Sequence, residues 1–188
     1  MKRLVIFASG SGTNAENIVN YFRKNNQAET VLILSNKQDA KVLDRATKLE
    51  IPSVYFTRTD LYNNDKVLQL LLDAKPDLII LAGFLWRFPE EILRNYPNKV
   101  INIHPALLPK YGGKGMYGMH VHESVVENNE TETGITIHYV NEHYDEGAII
   151  FQASTPINTS DTPLTVANKV HQLEYEFFPK IISQLINE

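Results

Sequence analysis

The sequence predicts an α/β protein: a doubly wound, mostly parallel, Rossmann-like sheet with extra C-terminal strands and a long C-terminal helix. Two observations indicate the parallel part. Short, wholly apolar runs alternate with segments of helical periodicity, and the first run ends in a glycine-rich turn. A third observation indicates the extra strands, because beyond residue 130 apolar and polar positions alternate, as in antiparallel strands.

Each early element follows from a local pattern. Predominantly apolar runs predict strands over 4–9, 30–35, 53–56, 78–82 and 100–104, the last of them interrupted by Asn102 and His104. Helical periodicity predicts helices over 13–24 and 39–50, and a third helix that Asp60 caps and Pro76 ends. Strands and helices that alternate in this way predict right-handed crossovers between parallel strands.

The C-terminal part has a different rhythm. The stretches 132–140 and 148–153 predict two strands joined by a short turn, at least one of them antiparallel. A helix is expected from Pro163 to about Ile186, with Thr162 as its N-cap, because proline at the first helical position loses no hydrogen bond. No interdomain linker is visible, so residues 1–188 predict a single domain. We expect about 1–100 to bind the phosphate group and about 101–188 to carry the catalytic site.

Composition restricts the class of function. The chain has 188 residues, a net charge of -4 and no cysteine, so a thiol nucleophile, a thiolate metal site and a disulfide framework are excluded. The scattered lysines and arginines argue against a nucleic-acid binder. No apolar run approaches the roughly 18 residues of a membrane span, and we expect a cytoplasmic protein with no membrane partner. No spaced motif predicts a metal site.

The turn 9-SGSGTNAE-16 is the first candidate site. Gly10 and Gly12 allow backbone N–H groups to approach a ligand, and the start of a helix favours an anion there. The turn matches the dinucleotide fingerprint, but the second strand ends in Ser-Asn-Lys instead of the acidic residue that would hold a ribose. A phosphate group attached to a small molecule is therefore favoured over NAD, and a plain strand–helix turn is the alternative.

Asn102 and His104 form the second candidate site. Alternation places both side chains on one face of their strand, and ligands of such sheets bind outside the carboxyl ends of the strands. The asparagine amide suits a developing oxyanion, and histidine exchanges protons near neutral pH. Asp145 lies in a later turn and would favour the imidazolium if it reached His104. A buried polar pair that braces the loop and an ordinary Asp-Glu-Gly turn are the alternatives.

Three motifs in this order resemble a known family. They are SGSGTN after the first strand, NIHPALLPKY, and D-x-G-x-x-x-x-Q from Asp145 to Gln152. Together they resemble the folate-dependent formyltransferases and, within that group, those acting on glycinamide ribonucleotide in de novo purine biosynthesis. The resemblance implies 10-formyltetrahydrofolate as co-substrate and no metal. It also implies small-molecule partners only, in a monomer or homodimer.

The resemblance implies a role for individual residues. Asn102 and His104 are expected to be catalytic, with Asp145 raising the pKa of His104 so that its protonated form stabilises an oxyanion. The expected ribonucleotide-binding residues are Gly12, Thr13, Asn14, His171 and Glu174. The expected folate-binding residues are Leu85, Trp86, Arg87, Phe88, Asn102 and, for the folate tail, Arg58.

Two departures and two alternatives accompany the resemblance. The folate stretch here reads Leu-Trp-Arg-Phe where a common version reads Met-Arg-Ile-Leu, and 112–123 is longer than in many members and is expected to be a lid loop. A folate-dependent formyl hydrolase is one alternative, although transfer to water needs no phosphate site. A nucleotide-binding regulatory domain without catalysis is the other, and it leaves Asn102, His104 and Asp145 without a role.

Overall fold

A computed structural model describes residues 1–187. Its strands are β1 (Lys2–Phe7), β2 (Ala28–Ser35), β3 (Ser53–Tyr55), β4 (Leu78–Leu81), β5 (Val100–His104), β6 (Glu132–Tyr139) and β7 (Ile149–Pro156). Its helices are α1 (Thr13–Asn25), α2 (Lys41–Lys48), α3 (Arg58–Tyr62), α4 (Lys66–Ala74), α5 (Glu90–Asn95), α6 (Met119–Glu127) and α7 (Pro163–Leu185). The predicted doubly wound sheet, the added strands and the long last helix are confirmed.

The strands form one sheet in the order β3-β2-β1-β4-β5-β6-β7. The first five are parallel, while β6 runs antiparallel to both β5 and β7. The order reverses between β1 and β4, and ligands of open α/β sheets bind outside the strand ends at such a switch point. The turn after β1 and the end of β5 therefore lie at the same edge of the sheet.

Two apolar layers cover the sheet. On β1, Leu4 and Ile6 pack with α1, α2 and α7, whereas Val5 and Phe7 pack with the side of α3, α4 and α5. All four side chains are fully buried, which is why the strand reads as an uninterrupted apolar run. Burial on both faces holds the strand ends, and the loops that follow them, in fixed positions.

The structure differs from the sequence predictions in three places. The region after β3 forms two helices, α3 and α4, where one was predicted. The N-cap of α3 is Thr57 and not Asp60, which instead accepts a hydrogen bond from the Thr57 N–H and completes a capping box. The short helix α5 was not predicted. The segment 112–123 is also not a single loop, because its last residues belong to α6, whereas 112–118 is irregular. At the C-terminus, the Thr162 N-cap of α7 is confirmed by its hydrogen bond from the Thr165 N–H.

Candidate active site

A cavity of about 670 Å³ opens at the carboxyl ends of β1, β4 and β5. The turn after β1, the segment 113–119 and α7 form its other walls. Its volume lies within the range of small-molecule sites, about 300–1,000 Å³. It lies at the switch point of the sheet, where the topology predicts a ligand. Most of the predicted site residues line it: Gly12, Thr13, Asn14, Leu85, Asn102, His104, Asp145, His171 and Glu174.

The glycine-rich turn forms one end of this cavity. Gly12 is the N-cap of α1 and has a φ of 73°, a left-handed conformation that disfavours side chains. A Cβ at this position would lie 2.7 Å from the Cα of Val42, so the position also lacks room for one. At Gly10, by contrast, a Cβ would meet no atom within 4 Å. Gly12 is thus required by the path of the backbone, which leads the first N–H groups of α1 into the cavity.

Glu174 lies in the wall of the cavity beside this turn. We call the five residues predicted to bind the ribonucleotide the ribonucleotide wall: Gly12, Thr13, Asn14, His171 and Glu174. The side chain of Glu174 is only 5% exposed, and its Oε2 accepts hydrogen bonds from Asn14 Nδ2 at 2.9 Å and His171 Nδ1 at 2.8 Å. The hydrogen bond to Glu174 raises the pKa of His171, although burial opposes the rise. The structure therefore joins three predicted residues that come from opposite ends of the chain.

Asn102 lies at the end of β5, directly opposite His138 on β6. Its Nδ2 lies 3.1 Å from His138 Nε2. His138 Nδ1 lies 2.9 Å from the carbonyl oxygen of Tyr139 and must donate its proton there. In neutral His138, Nε2 is therefore the acceptor, and Asn102 donates one of its two amide protons to it. The second amide proton of Asn102 remains available to a ligand.

His104 lies two residues further along β5 and is 4% exposed. Its Nε2 is 2.7 Å from the carbonyl oxygen of Tyr111, so this nitrogen carries a proton. Its Nδ1 faces Asp145, with 3.5 Å between Nδ1 and Oδ2. Burial lowers the pKa of His104 more than Asp145 and the Tyr111 carbonyl raise it. The predicted contact with Asp145 is present, and Asp145 raises the pKa of His104 as predicted, but burial lowers this pKa more, so the predicted protonated form is disfavoured.

Asp145 completes this group. Its Oδ2 accepts a hydrogen bond from the N–H of Gly113 at 2.9 Å, and its Oδ1 lies 3.6 Å from His138 Nε2. Burial alone would raise the pKa of Asp145, but contacts with His138, His104 and the Gly113 N–H together lower it. The carboxylate is therefore ionised at neutral pH. We call Asn102, His104, His138 and Asp145 the catalytic cluster, because three of them are the residues that the sequence predicts to be catalytic.

Thr136 forms hydrogen bonds with the loop that follows His104. It lies opposite His104 on β6, and its Oγ1 donates to the carbonyl oxygen of Ala106 at 2.7 Å. The same oxygen accepts from the Leu108 N–H at 3.0 Å and from Gln152 Nε2 at 2.8 Å. This explains the glutamine at the end of the D-x-G-x-x-x-x-Q motif, because it ties β7 to the proline-bounded loop after His104.

A smaller cavity of about 50 Å³ lies on the other side of Asn102. The predicted folate residues Trp86, Arg87 and Phe88 line it, whereas Leu85 lines the larger cavity. Some backbone groups of this stretch already have partners, since the Leu85 N–H donates to Ser9 Oγ and the Arg87 carbonyl accepts from Tyr62. Both cavities are lined by Phe84, Asn102, Tyr144 and Asp145.

Arg58 lies beside this stretch but lines neither cavity. Its guanidinium carbon is 5.4 Å from the ring centre of Tyr62 and 5.4 Å from that of Trp86. Contacts of this kind stabilise a cation over an aromatic face. The structure therefore places Arg58 against Trp86, a lining residue of the smaller cavity.

The two histidines of α6 have different surroundings. His120 is exposed and lies 3.4 Å from Glu123. His122 is 3% exposed and lines the larger cavity, and its Nδ1 has no hydrogen-bond partner within residues 1–187. Burial, and then the proximity of His171, lower the pKa of His122. Within the described residues, no group of three or more acidic or histidine side chains is placed to hold a metal ion.

Sequence reasoning missed several residues of this site. They are Lys37, Tyr111, Gly113, Lys114, His122, Thr136, His138 and Tyr144. The polar positions 136 and 138 of an otherwise apolar strand were a visible signal, because alternation places them on the same face. No comparable signal marks Tyr111 or Gly113, which contact His104 and Asp145 through backbone groups. Among residues 1–187, no helix is both long and apolar enough to cross a membrane.

Comparison with known proteins agrees with this geometry. The formyl transferase family profile matches residues 2–182. The chain is 36% identical to the phosphoribosylglycinamide formyltransferase of Bacillus subtilis, covering 99% of this chain and 95% of that one. It is 33% identical to the chloroplastic enzyme of that name from Arabidopsis thaliana, and spans 66% of its length. The solved phosphoribosylglycinamide formyltransferase of Bacillus halodurans is 35% identical, with a TM-score of 0.88 over all of this chain and 96% of that one.

Proposed function

Since the chain belongs to the formyl transferase family, we propose that it transfers a formyl group to the amine of 5-phosphoribosylglycinamide in purine biosynthesis. The formyl donor is 10-formyltetrahydrofolate, the co-substrate of this family, which supplies an activated formyl carbon. One observation carries the proposal: Asn102, His104 and Asp145 meet in the cavity that the glycine-rich turn closes at its other end. That arrangement holds catalytic groups and an anion-binding turn in one space.

The ribonucleotide is proposed to lie along the ribonucleotide wall. The backbone N–H groups of Gly12, Thr13 and Asn14 suit its phosphate, because the start of a helix favours negative charge. Glu174 suits the ribose hydroxyl groups, since its carboxylate is ionisable, buried and directed into the cavity. His171 is favoured in its charged form by Glu174 and adds a positive charge near the phosphate.

The folate is proposed to bind where the two cavities meet. The smaller cavity has apolar and aromatic walls from Trp86, Phe88 and Val140, which suit a flat ring, and Asn102 offers it a polar edge. Its volume of about 50 Å³ is below that of a typical ligand site, so the ring must also use the adjoining part of the larger cavity. Arg58, beside Trp86, is proposed to meet the acidic tail.

The mechanism follows from the protonation state of His104. Because burial lowers its pKa, the imidazole is neutral at working pH, with its proton fixed on Nε2 by Tyr111. Its Nδ1 is then free to take the proton that the attacking amine loses. Asp145, 3.5 Å from that nitrogen, stabilises the imidazolium until Nδ1 gives the proton to the departing folate nitrogen.

Asn102 stabilises the charge that develops on the formyl oxygen during this step. One amide proton of Asn102 is hydrogen-bonded to His138, which fixes the plane of the amide. The second amide proton can therefore be donated to the formyl oxygen. Donors oriented before the reaction stabilise such charge without reorganising, and the loss of one typically lowers kcat by about 10²–10³-fold. No covalent bond to the protein is needed at any point.

A product assay tests the function. The purified protein is incubated with 10-formyltetrahydrofolate, with and without the ribonucleotide, and both folate products and formylated ribonucleotide are measured. Formylated ribonucleotide in equal amount to the folate released is expected, and no folate release without the ribonucleotide. Release of formate at the same rate in both reactions would contradict transfer and support the hydrolase alternative.

Three further features remain predictions. They are a cytoplasmic location, a monomeric or homodimeric state, and the division of the chain near residue 100 into a ribonucleotide part and a catalytic, folate-binding part. Cell fractionation tests the first, and light scattering during gel filtration tests the second. For the third, the contact of Asn14 with Glu174 means that both parts contribute to the ribonucleotide wall.

A further inference from the structure

A short segment after the catalytic strand contacts both proton-handling residues. The carbonyl oxygen of Tyr111 accepts the Nε2 proton of His104 at 2.7 Å, and two residues later the Gly113 N–H donates to Asp145 at 2.9 Å. We call residues 110–113 the bridging segment. Its backbone path thus determines which nitrogen of His104 carries the proton and where the Asp145 carboxylate lies.

The bridging segment has no regular secondary structure to hold it in place. Tyr111 has a φ of 55° and Gly113 a φ of 93°. The left-handed conformation is unfavourable for a residue other than glycine, because its Cβ approaches the following carbonyl oxygen. Such a conformation persists only where surrounding contacts impose it. Contacts outside the segment must therefore hold Tyr111 in this conformation.

Glu130, three residues beyond the end of α6, provides those contacts. Its Oε1 accepts a hydrogen bond from the Tyr111 hydroxyl at 2.9 Å, and Lys110 Nζ lies 3.0 Å and 3.2 Å from its two oxygens. The contacts with Lys110 and Tyr111 lower the pKa of Glu130, so it is ionised at neutral pH. Its own N–H donates to the carbonyl oxygen of Val125, which ties it to α6. The ring of Tyr111 also packs against a small buried cluster of Ala106, Val121 and Val125.

We propose that Glu130 and the Tyr111 hydroxyl are positioning residues for His104. Their hydrogen bond holds the bridging segment so that the Tyr111 carbonyl keeps the His104 proton on Nε2 and leaves Nδ1 for the reaction. The proposal rests on the proposed function for its kinetic consequence, but its structural consequence, a single tautomer of His104, can be measured without any turnover.

Four variants separate the effect of the hydrogen bond between Tyr111 and Glu130 from that of the ion pair between Lys110 and Glu130. Tyr111→Phe keeps the packed ring and removes the hydroxyl, and Glu130→Ala removes the acceptor. Glu130→Gln keeps an oxygen that can accept from Tyr111 and removes only the charge. Lys110→Ala removes the ion pair and leaves the hydrogen bond between Tyr111 and Glu130 intact. If the hydrogen bond is what matters, the first two variants are impaired and the last two resemble the unaltered protein.

Kinetics give the first measurement. We expect Tyr111→Phe and Glu130→Ala to lower kcat about 10-fold, a part of the about 10²–10⁴-fold that a general acid–base contributes. Both KM values should change little. The acidic limb of the kcat profile should move to lower pH, because the Tyr111 carbonyl raises the pKa of His104. The other ionisable groups near His104, namely Asp145, His138, Glu174 and His122, are the same in all four variants.

Nitrogen NMR of His104 gives the second measurement. The unaltered protein should show one neutral tautomer, protonated on Nε2, whereas Tyr111→Phe and Glu130→Ala should show a mixture. An unchanged tautomer and an unchanged pH profile in these two variants would overturn the proposal, even if their thermal stability falls. Equal impairment of Lys110→Ala would also overturn it, by assigning the effect to the ion pair. If the unaltered protein transfers no formyl group, the proposed function fails, while the NMR comparison still decides on the positioning.

Discussion

The cavity contains two histidine–carboxylate pairs whose electrostatics differ. In the catalytic cluster, His104 Nδ1 lies 3.5 Å from Asp145, and burial lowers the pKa of the histidine. On the ribonucleotide wall, His171 Nδ1 lies 2.8 Å from Glu174, and the hydrogen bond raises the pKa. The side chain of His104 is 4% exposed, while that of His171 is 49% exposed. A histidine beside a carboxylate thus favours the neutral imidazole in the catalytic cluster and the imidazolium on the ribonucleotide wall.

The difference shows that a carboxylate neighbour does not by itself set the protonation state of a histidine. Removing imidazolium from water is costly, and a carboxylate that is not hydrogen-bonded recovers only a part of that cost. A proton carrier needs a pKa that permits both states, whereas a group that binds an anion benefits from a lasting positive charge. The two pairs fit these two tasks.

The largest expected effect comes from removing the base itself. His104→Ala should lower kcat by about 10²–10⁴-fold, because no other group lies at the position of Nδ1 to carry the proton. Both KM values should change much less, since the residue acts on the reaction rather than on binding. Steady-state kinetics at saturating co-substrate measure this. His120→Ala is the matched control, because this exposed histidine on α6 does not line the cavity. Equal activity of both variants would contradict the assignment.

The second test removes the charge beside the base. Asp145→Asn should lower the pKa of His104 further, because the carboxylate favours its imidazolium. The acidic limb of the kcat profile should therefore move to lower pH, and the plateau should fall by about 10²-fold, at the lower end of general acid–base effects. NMR titration of His104 and a pH–rate profile measure the two changes. A pKa of His104 that stays the same or rises would refute this electrostatic account.

The third test applies the same change to the other pair. Glu174→Gln should lower the pKa of His171 and raise KM for the ribonucleotide about 10-fold, as expected when a hydrogen bond to a charged group is lost. The kcat value should change little, in contrast to Asp145→Asn. Glu176→Gln, an exposed position on the same helix that pairs with Lys180, is the control. A fall in kcat without a change in KM would mean that the two pairs do not have separate tasks.

The smallest expected effect concerns the backbone of the ribonucleotide wall. Gly12→Ala should lower the free energy of unfolding by about 1–2 kcal/mol, the cost of a left-handed alanine. KM for the ribonucleotide should rise several-fold, because the Cβ displaces the turn from Val42. Gly10→Ala is the control for stability only, because a Cβ there meets no protein atom within 4 Å but Gly10 also lines the cavity. Denaturation of both variants and ribonucleotide titration of Gly12→Ala measure the two effects, and equal stability of the two variants would argue against a turn that requires glycine at position 12.

The parallel half of the fold was readable from sequence because β1, β2 and β4 carry uninterrupted apolar runs. The helices α5 and α6 were missed for physical reasons. The first is six residues long, and the second follows glycines at 112, 113, 115 and 118 that make its approach look like a loop. The capping error at Asp60 arose because a capping box contains two acceptors, and only the structure shows that Thr57 is the first.

The sequence predicted those residues of the candidate site that lie at the end of a strand or in the glycine-rich turn, because these positions have recognisable patterns. Asn102, His104 and the turn residues were found in this way. The contact between His104 and Asp145 could not be derived, because it depends on how β6 pairs with β5 and on the turn before β7. Asp145 raises the pKa of His104 as predicted, but the sequence does not show how deeply the histidine is buried, and burial lowers this pKa more. The backbone contacts from Tyr111 and Gly113 leave no trace in residue types.

The pairing of β5 with β6 has a consequence for insertions and deletions. Asn102 faces His138 and His104 faces Thr136 only in the present register. One residue added inside β6 would turn the following side chains to the opposite face of the sheet. Residues added between β5 and β6 would leave that register unchanged, because the ladder and not the connection fixes it. Chain-length variation is therefore expected to accumulate in the stretch 114–118, beyond the bridging segment, and to be absent from 132–139, a pattern that a set of random single-residue insertions selected for activity would reveal.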